Sequence, residues 1–487
     1  MRTYRLSKSK IISGLQCPKR LYLEIHQPAL REDSARSEAL FAIGHRVGEI
    51  AQELVPDGVM IRMENRDIAR AIKETRRLLA TPDPPPLFEA TFSHNNILVR
   101  ADILFPEEGG YRLVEVKAST SVKDYHLNDC ATQVWVIEGA GFHVNRVELA
   151  HVDTGFVYPG GGRYEGLLFH ADVTAEVQAI KPHVPAWAAQ FQEMLAGGIP
   201  AIEVGPHCTD PFECPFIDVC WPEEPDYPVG MLPRGQSVAE GLLAQGIADV
   251  RDIPEGYLEN PLHERVREVT ATGRPYIDPQ IKTHLNGLPY PRFYLDFETI
   301  GTAVPIWAGT RPYQTHLPFQ WSLHIERLPG KLDHAEFLDL SGENPMRPLA
   351  GALLAALGDS GPIFVYSHFE KAVLQQIGAF YTDLSDRLEA VAARLEDLLP
   401  LMRTHYYHPD MKGSWSIKAV LPTVAPELNY ADLDEVQDGG AAQAAYLEAC
   451  ELEEGSQRYA SLGCNLLKYC EMDTLALVKI VRFFTRK

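Results

Sequence analysis

Three cysteines at intervals of six residues, in the stretch "GPHCTDPFECPFIDVCW" from Gly205 to Trp221, constrain this chain more than any other feature. Cys208, Cys214 and Cys220 need something to bind. Disulfides, a structural zinc and an iron–sulfur cluster are the candidates, and each would pin a long segment in place. The chain holds only eight cysteines in 487 residues. Its start, "MRTYRLSKSKIISGLQCPKR", has charges and no uninterrupted apolar run. A cytoplasmic, reducing setting is therefore expected, in which grouped thiols read as metal ligands rather than disulfides.

At this length two or three domains are expected, each able to bury a core without cross-links. No segment offers the ~18 apolar residues of a membrane span, so no membrane partner is expected. The formal net charge of −21 argues against a general nucleic-acid coat, whose affinity would come from Lys and Arg. It leaves room for a nuclease, which concentrates carboxylates at metal sites and keeps its cations in local grooves.

The periodicity divides the chain. Residues 7–81 read as helices, including "ALFAIGHRVGEIAQELV". "PLFEATFS", "NILVRADILF" and "YRLVEVKAS" then read as an antiparallel meander, followed by a helix through "CATQVWVIEGAG", a strand, and a helix over 174–197. Residues 226–288 are rich in Gly, Pro and charge and suggest a small helical linker domain between units at 1–225 and 289–487. A second α/β pattern opens at "RFYLDFETIG" and closes on "SLGCNLLKYCEMDTLALVKIVRFF", which predicts helices packed on a mixed sheet.

Chemistry concentrates at two places. Glu115 and Lys117 are two apart on a strand and so share a face, and Asp102 lies near the end of the preceding strand. Two carboxylates can hold Mg²⁺, and a lysine beside them can stabilise the charge of an attacked phosphate. Alone, Glu-X-Lys is an ordinary surface ion pair. In the second pattern Asp296 and Glu298 share a strand face, while Tyr469 and Asp473, four apart, share a helix face. Carboxylates converging from a strand and helices suit a two-metal phosphoryl-transfer site.

The order Asp102, twelve residues, Glu115-Val-Lys117, with His45 on an earlier helix and Gln133 on the next, resembles the RecB-type branch of the PD-(D/E)XK nucleases. The resemblance implies His45, Asp102 and Glu115 as metal ligands, Lys117 as the catalytic lysine and Gln133 as an orienting group. Ile137 stands where the family usually has tyrosine. Iron–sulfur members of that branch bind a [4Fe–4S] cluster through one cysteine before the core and three after it, which here implies Cys17, Cys208, Cys214 and Cys220. Their spacing departs from the commoner Cys-X₂-Cys, so zinc stays as the alternative. Cys130, Cys450, Cys464 and Cys470 read as small buried hydrophobes. Lys8, Lys10, Lys19 and Arg20 can face a phosphate backbone or simply solvent.

The second constellation resembles the DnaQ-like exonucleases of the ribonuclease H-like fold. Asp296 and Glu298 match its first motif, and Tyr469 and Asp473 its third. "VYSHFEKAVL" stands at the second motif, with Glu370 in place of the usual aspartate and Asp397 as a reserve. Lys418 in "MKGSWSIKAVLP" is a candidate strand-binding residue. From about residue 5 to the end, the chain looks like a bacterial family of unknown function joining these two domains. The resemblance implies a nuclease that hydrolyses phosphodiester bonds with Mg²⁺ or Mn²⁺ and carries a 4Fe–4S cluster. Its expected substrate is DNA rather than RNA, at single-stranded or frayed ends. The competing expectations are an iron–sulfur nucleic-acid-binding scaffold with inactive sites and, third, an electron-transfer protein.

Overall fold

The computed structural model describes residues 4–63, 67–221 and 224–485. It is a mixed α/β chain in two compact units, one of Met1–Pro222 with Thr302–Tyr313 and one of Glu223–Gly301 with Gln314–Lys487. Among the described residues no helix is long and apolar enough to cross a membrane.

The first unit is built on a sheet whose main strands are β1 (Leu87–His94), β2 (Ile97–Glu107), β3 (Gly110–Lys117), β4 (Val144–Val152) and β5 (Leu168–Asp172), adjacent in that order. β1 to β3 form an antiparallel meander, whereas β3 and β4 run parallel. That parallel step needs a crossover, supplied by helix α2 (Asp124–Gly139). Helix α1 (Lys8–Gln16) starts at Ser7, whose side chain accepts from the Lys10 amide, a capping bond that satisfies one orphan donor. Leu113 of β3 packs with the Val134 and Ile137 side of α2 in one core. Val114 packs with Ala51 in another. The strand's alternation thus fixes which face carries chemistry.

The excursion Thr302–Tyr313 belongs to this first unit although it connects two strands of the second. Tyr158 and the excursion exchange backbone hydrogen bonds, Tyr158 N to Thr310 O at 2.9 Å and Gly309 N to Tyr158 O at 2.8 Å. Ala303 and Val304 share a core with Val47 and Tyr164, and the Tyr313 hydroxyl donates to the Ala118 carbonyl.

The second unit centres on five strands in the order β8 (Lys331–Leu338), β7 (Leu317–Leu328), β6 (Arg292–Ile300), β9 (Ile363–Val365) and β10 (Leu395–Asp397). β7 is antiparallel to both neighbours, and β9 is parallel to β6 and β10. Phe293, Leu295 and Phe297 of β6 point into one core, and Tyr294 points into another that includes Leu477 of the terminal helix α3 (Gln457–Thr485). Residues 226–288, expected as a linker domain of their own, fall within this unit. Val229, Leu242, Val250, Val266 and Ile281 are buried in the same core as Tyr294, Phe364 and Leu477. Apolar residues spread thinly through a Gly- and Pro-rich stretch find their partners only in three dimensions.

Candidate functional site

In the first unit β3 brings Glu115 and Lys117 onto the α2 side of the sheet. The Lys117 Nζ donates to Glu115 Oε1 at 2.6 Å and to Asp129 Oδ2 at 2.9 Å. Gln133 Nε2 donates to Glu115 Oε2 at 2.7 Å, and its own Oε1 is buried without a hydrogen-bond partner. Asp102 Oδ2 accepts from the Val116 amide at 2.8 Å. Lys8 of α1 reaches across the unit and donates to both oxygens of Glu115, at 2.8 and 3.0 Å, with Asp102 Oδ1 3.7 Å away.

Charge decides the protonation here. Burial pushes Asp102 up to about 7, with the negative Glu115 adding to the shift. Burial would raise Glu115 too, but Lys117 and Lys8 overcome it and hold that carboxyl well below the usual range. Asp129 is pushed up by burial against the pull of the two lysines. This centre therefore carries its own cations.

Two residues of the cluster were not expected from the sequence. Asp129 stands one helical turn before Gln133, a spacing visible in "NDCATQ" but common on any helix. Lys8, read as facing phosphate or solvent, instead turns inward, and Lys10 and Arg20 both pair with the buried Glu24. His45 is exposed and makes no hydrogen bond or ion pair with Asp102 or Glu115 among the described residues. Its helix, Ala35–Glu53, packs through Ala51 on the Val114 side of β3, the face opposite Glu115 and Lys117. That packing is why the structure does not join His45 to the cluster.

Cys17, Cys208, Cys214 and Cys220 line one small cavity, together with Lys19, Arg20 and His207. Gln16, next to Cys17, ties α1 to the segment of the later cysteines by donating to the carbonyls of His207 at 2.8 Å and Phe212 at 2.7 Å, and the Cys214 amide donates to Cys208 O at 2.8 Å. Cys17 and Cys208 are buried and the other two half-buried. All eight cysteines are free thiols. Among the described residues, no three of these four sulfurs lie within 4.8 Å of one another. A tetrahedral zinc would hold them at ~3.8 Å.

In the second unit a cleft of about 380 Å³ is lined by Asp296, Glu298, Tyr366, Lys418, Tyr469 and Asp473, among others. Asp296, Glu298 and Cys470 each offer a ligand atom within 4.8 Å of the others. Burial, then Asp473, Glu298 and Glu370, push the Asp296 carboxyl well above its ordinary range. Burial and Asp473 do the same to Glu298. Glu370, 2 % exposed, is pushed up to about 8 by burial and lies beside Asp296, and its Oε2 is buried without a hydrogen-bond partner. Asp473 rises to about 6 through burial, restrained by hydroxyls and by Lys418. Tyr430 donates to its Oδ1 at 2.5 Å.

Asp397, the reserve ligand, is used otherwise. It caps the helix Leu398–His405, accepting from Leu399 N at 2.9 Å and from Ser367 N at 2.8 Å. Ser367 sits at φ 105°, a strained conformation for a residue with a Cβ, which the Asp397 bond helps to hold. Lys418 donates to Gln437 O at 2.6 Å and lies 5.2 and 5.7 Å from the Tyr430 and Tyr469 ring centres. Trp415 in the same loop is a packing residue, buried and bonded to Tyr406 O. Cys470, read as a buried hydrophobe, is buried but places its Sγ 3.7 Å from Asp296 Oδ2. Tyr430 comes from a loop with no motif around it, so nothing in the sequence marked it.

A family described as a domain of unknown function (DUF2779) matches residues 293–416. That span holds Asp296, Glu298 and Glu370 and ends before Tyr469 and Asp473. No curated protein matches. Among solved structures, the crystal structure of SSO0001 is similar at 14% identity, covering 45% of this chain and 87% of that chain, with a TM-score of 0.20.

Proposed function

We propose that this chain is a metal-dependent nuclease that hydrolyses phosphodiester bonds in DNA, with its principal site in the second unit. One observation carries the reading. Glu298, Glu370 and Asp473 are buried and Asp296 is half-buried beside them, and Lys418 is the cation on their cleft wall among the described residues. Buried like charges repel and pay for desolvation unless cations neutralise them. The orphaned Oε2 of Glu370 is a further acceptor without a donor.

These four carboxylates fit Mg²⁺ or Mn²⁺, which prefer oxygen ligands. When bound, such ions supply charge for the attacking and leaving oxygens of an in-line displacement. The chain's own groups do the rest. Tyr469, held beside Asp473, orients the attacking water. Lys418 draws the phosphate backbone into the cleft, and Phe369 and Ile417 on the cleft wall exclude bulk water.

In the first unit Asp102 and Glu115 are the candidate ligands, Lys117 the charge stabiliser and Gln133 the orienting group, with no role left for His45. A second reading applies to this unit. Lys8 and Lys117 already neutralise Glu115, which favours a nucleic-acid-binding scaffold over a working site. Lys8→Met separates them. Removing that ammonium should lower metal-free stability by about 1–3 kcal/mol and raise the stabilisation gained from Mg²⁺, both read as thermal midpoints in EDTA and in Mg²⁺. An unchanged pair of midpoints would mean that Lys8 does not hold the place of an ion.

The four-cysteine cavity fits a [4Fe–4S] cluster. Lys19 and Arg20 on its wall offset the negative charge of four thiolates, and zinc stays as the alternative for the same four ligands. A cytoplasmic setting belongs to the same proposal, since a thiol-ligated cluster suits a reducing compartment.

The test is degradation of end-labelled single-stranded DNA with Mg²⁺ or Mn²⁺. Wild type and Lys117→Ala should both release short products from an end, and Lys418→Ala should raise the DNA concentration needed. Full activity in Lys418→Ala would remove it from the substrate path.

A further inference from the structure

Away from the catalytic cleft, His324 of β7, His334 of β8 and Glu471 of α3 each place a ligand atom within 4.8 Å of the other two. The two histidines are register partners across the antiparallel pair, with ring centres 4.6 Å apart. Nothing in the nuclease chemistry uses them. Two imidazoles side by side with a carboxylate need a reason beyond packing, because His334 and Glu471 are both exposed.

The hydrogen bonds behind the rings give that reason. His324 Nδ1 is 2.8 Å from Thr474 Oγ1, and His334 Nε2 is 2.8 Å from Ser322 Oγ. The two hydroxyls are themselves 2.8 Å apart. Thr474 Oγ1 donates to its own helix at Glu471 O, 3.0 Å away. With that proton directed to the helix, the consistent assignment has Thr474 accepting from His324 Nδ1–H and from the Ser322 hydroxyl. Ser322 in turn accepts from His334 Nε2–H. The chain of bonds closes with one proton per link. It leaves the second nitrogen of each ring unprotonated, its lone pair free. Metal-binding histidines are oriented in this way, with the far ring nitrogen hydrogen-bonded to a fixed partner.

We propose that His324, His334 and Glu471 form a site for one divalent cation of the zinc class, which fastens α3 to the β7–β8 pair. Two imidazoles and one carboxylate suit zinc better than Mg²⁺, which takes oxygen ligands. Bonds of 2.0–2.1 Å at a tetrahedral centre require ligand atoms ~3.3 Å apart. Rotation of the exposed Glu471 side chain closes most of the remaining distance, while His324 and His334, tied to Thr474 and Ser322, stay oriented. Water would fill the fourth position. Glu471 sits two residues from Asp473, roughly 200° round the helix, so the ion would steady the helix that carries Tyr469 and Asp473 without touching substrate.

The test is equilibrium dialysis of the full-length protein against buffered free zinc. Wild type should retain one equivalent more than His334→Ala or Glu471→Gln, and zinc should raise the thermal midpoint of wild type alone. Both residues are exposed, so neither change empties the core. Ser322→Ala, which frees the His334 ring, should weaken that equivalent about 10-fold. Asp296→Asn, in which the catalytic carboxylates are impaired, should keep it. Equal zinc in wild type and His334→Ala would overturn the site, as would loss of the same equivalent in Asp296→Asn, since the ion would then belong to the catalytic carboxylates.

Discussion

Asp296→Asn is expected to abolish cleavage while making the metal-free protein more stable. The two effects share one cause. Asp296 is half-buried among Asp473, Glu298 and Glu370, and all three push its carboxyl up. Without metal, the amide avoids the cost of holding that carboxyl either charged among its neighbours or protonated, worth about 1–2 kcal/mol, a rise of roughly 2–6 °C in thermal midpoint for a unit this size. With metal, the same change removes a ligand. Metal-ion stabilisation of a phosphoryl transition state is worth several kcal/mol, so a loss of about 10³-fold in rate follows. Melting in EDTA beside cleavage in Mn²⁺ reads both. A variant that melts lower in EDTA would show that the carboxylates are not a repulsive cluster, and the case for bound cations would weaken with it.

Cys17→Ser is expected to cost the first unit its fold rather than its chemistry. Cys17 ends α1 and lines the same cavity as three cysteines about 190 residues later. Closing a loop of that length removes chain entropy from the unfolded state worth about 5 kcal/mol, a large part of the stability of an ordinary domain. Ligand binding at such a site is folding energy. The variant should lose brown colour, iron and sulfide together, and its first unit should melt far below that of wild type. Colourless wild-type protein carrying one zinc per chain would replace the cluster with zinc. Cys464, exposed and outside the cavity, is the control whose serine variant should stay brown.

What the sequence made legible follows from short-range geometry. Two-residue spacing on a strand placed Glu115 with Lys117 and Asp296 with Glu298, and four-residue spacing on a helix placed Tyr469 with Asp473. Glu370, the candidate third carboxylate at a position where the resembled family has aspartate, lies beside Asp296. What escaped depends on reach. Lys8 contacts Glu115 across 107 positions, Tyr430 arrives from a loop, and Thr302–Tyr313 joins the first unit from within the second. A long side chain or a connecting loop carries no periodicity, so no local pattern announces where it ends. The 226–288 stretch failed as a separate domain for the related reason that its few apolar residues are completed by a core elsewhere in the chain.

On this reading the clustered carboxylates of the second unit hold divalent cations that the reaction requires. Mn²⁺ binding to the full-length protein, counted by loss of the free-ion paramagnetic resonance signal, tests it most directly when cleavage is followed in the same titration. Wild type should bind more Mn²⁺ than a protein carrying both Asp296→Asn and Asp473→Asn, and cleavage should rise as those additional ions bind. Equal Mn²⁺ in the two proteins, or cleavage that persists in the doubly substituted one, would contradict the account.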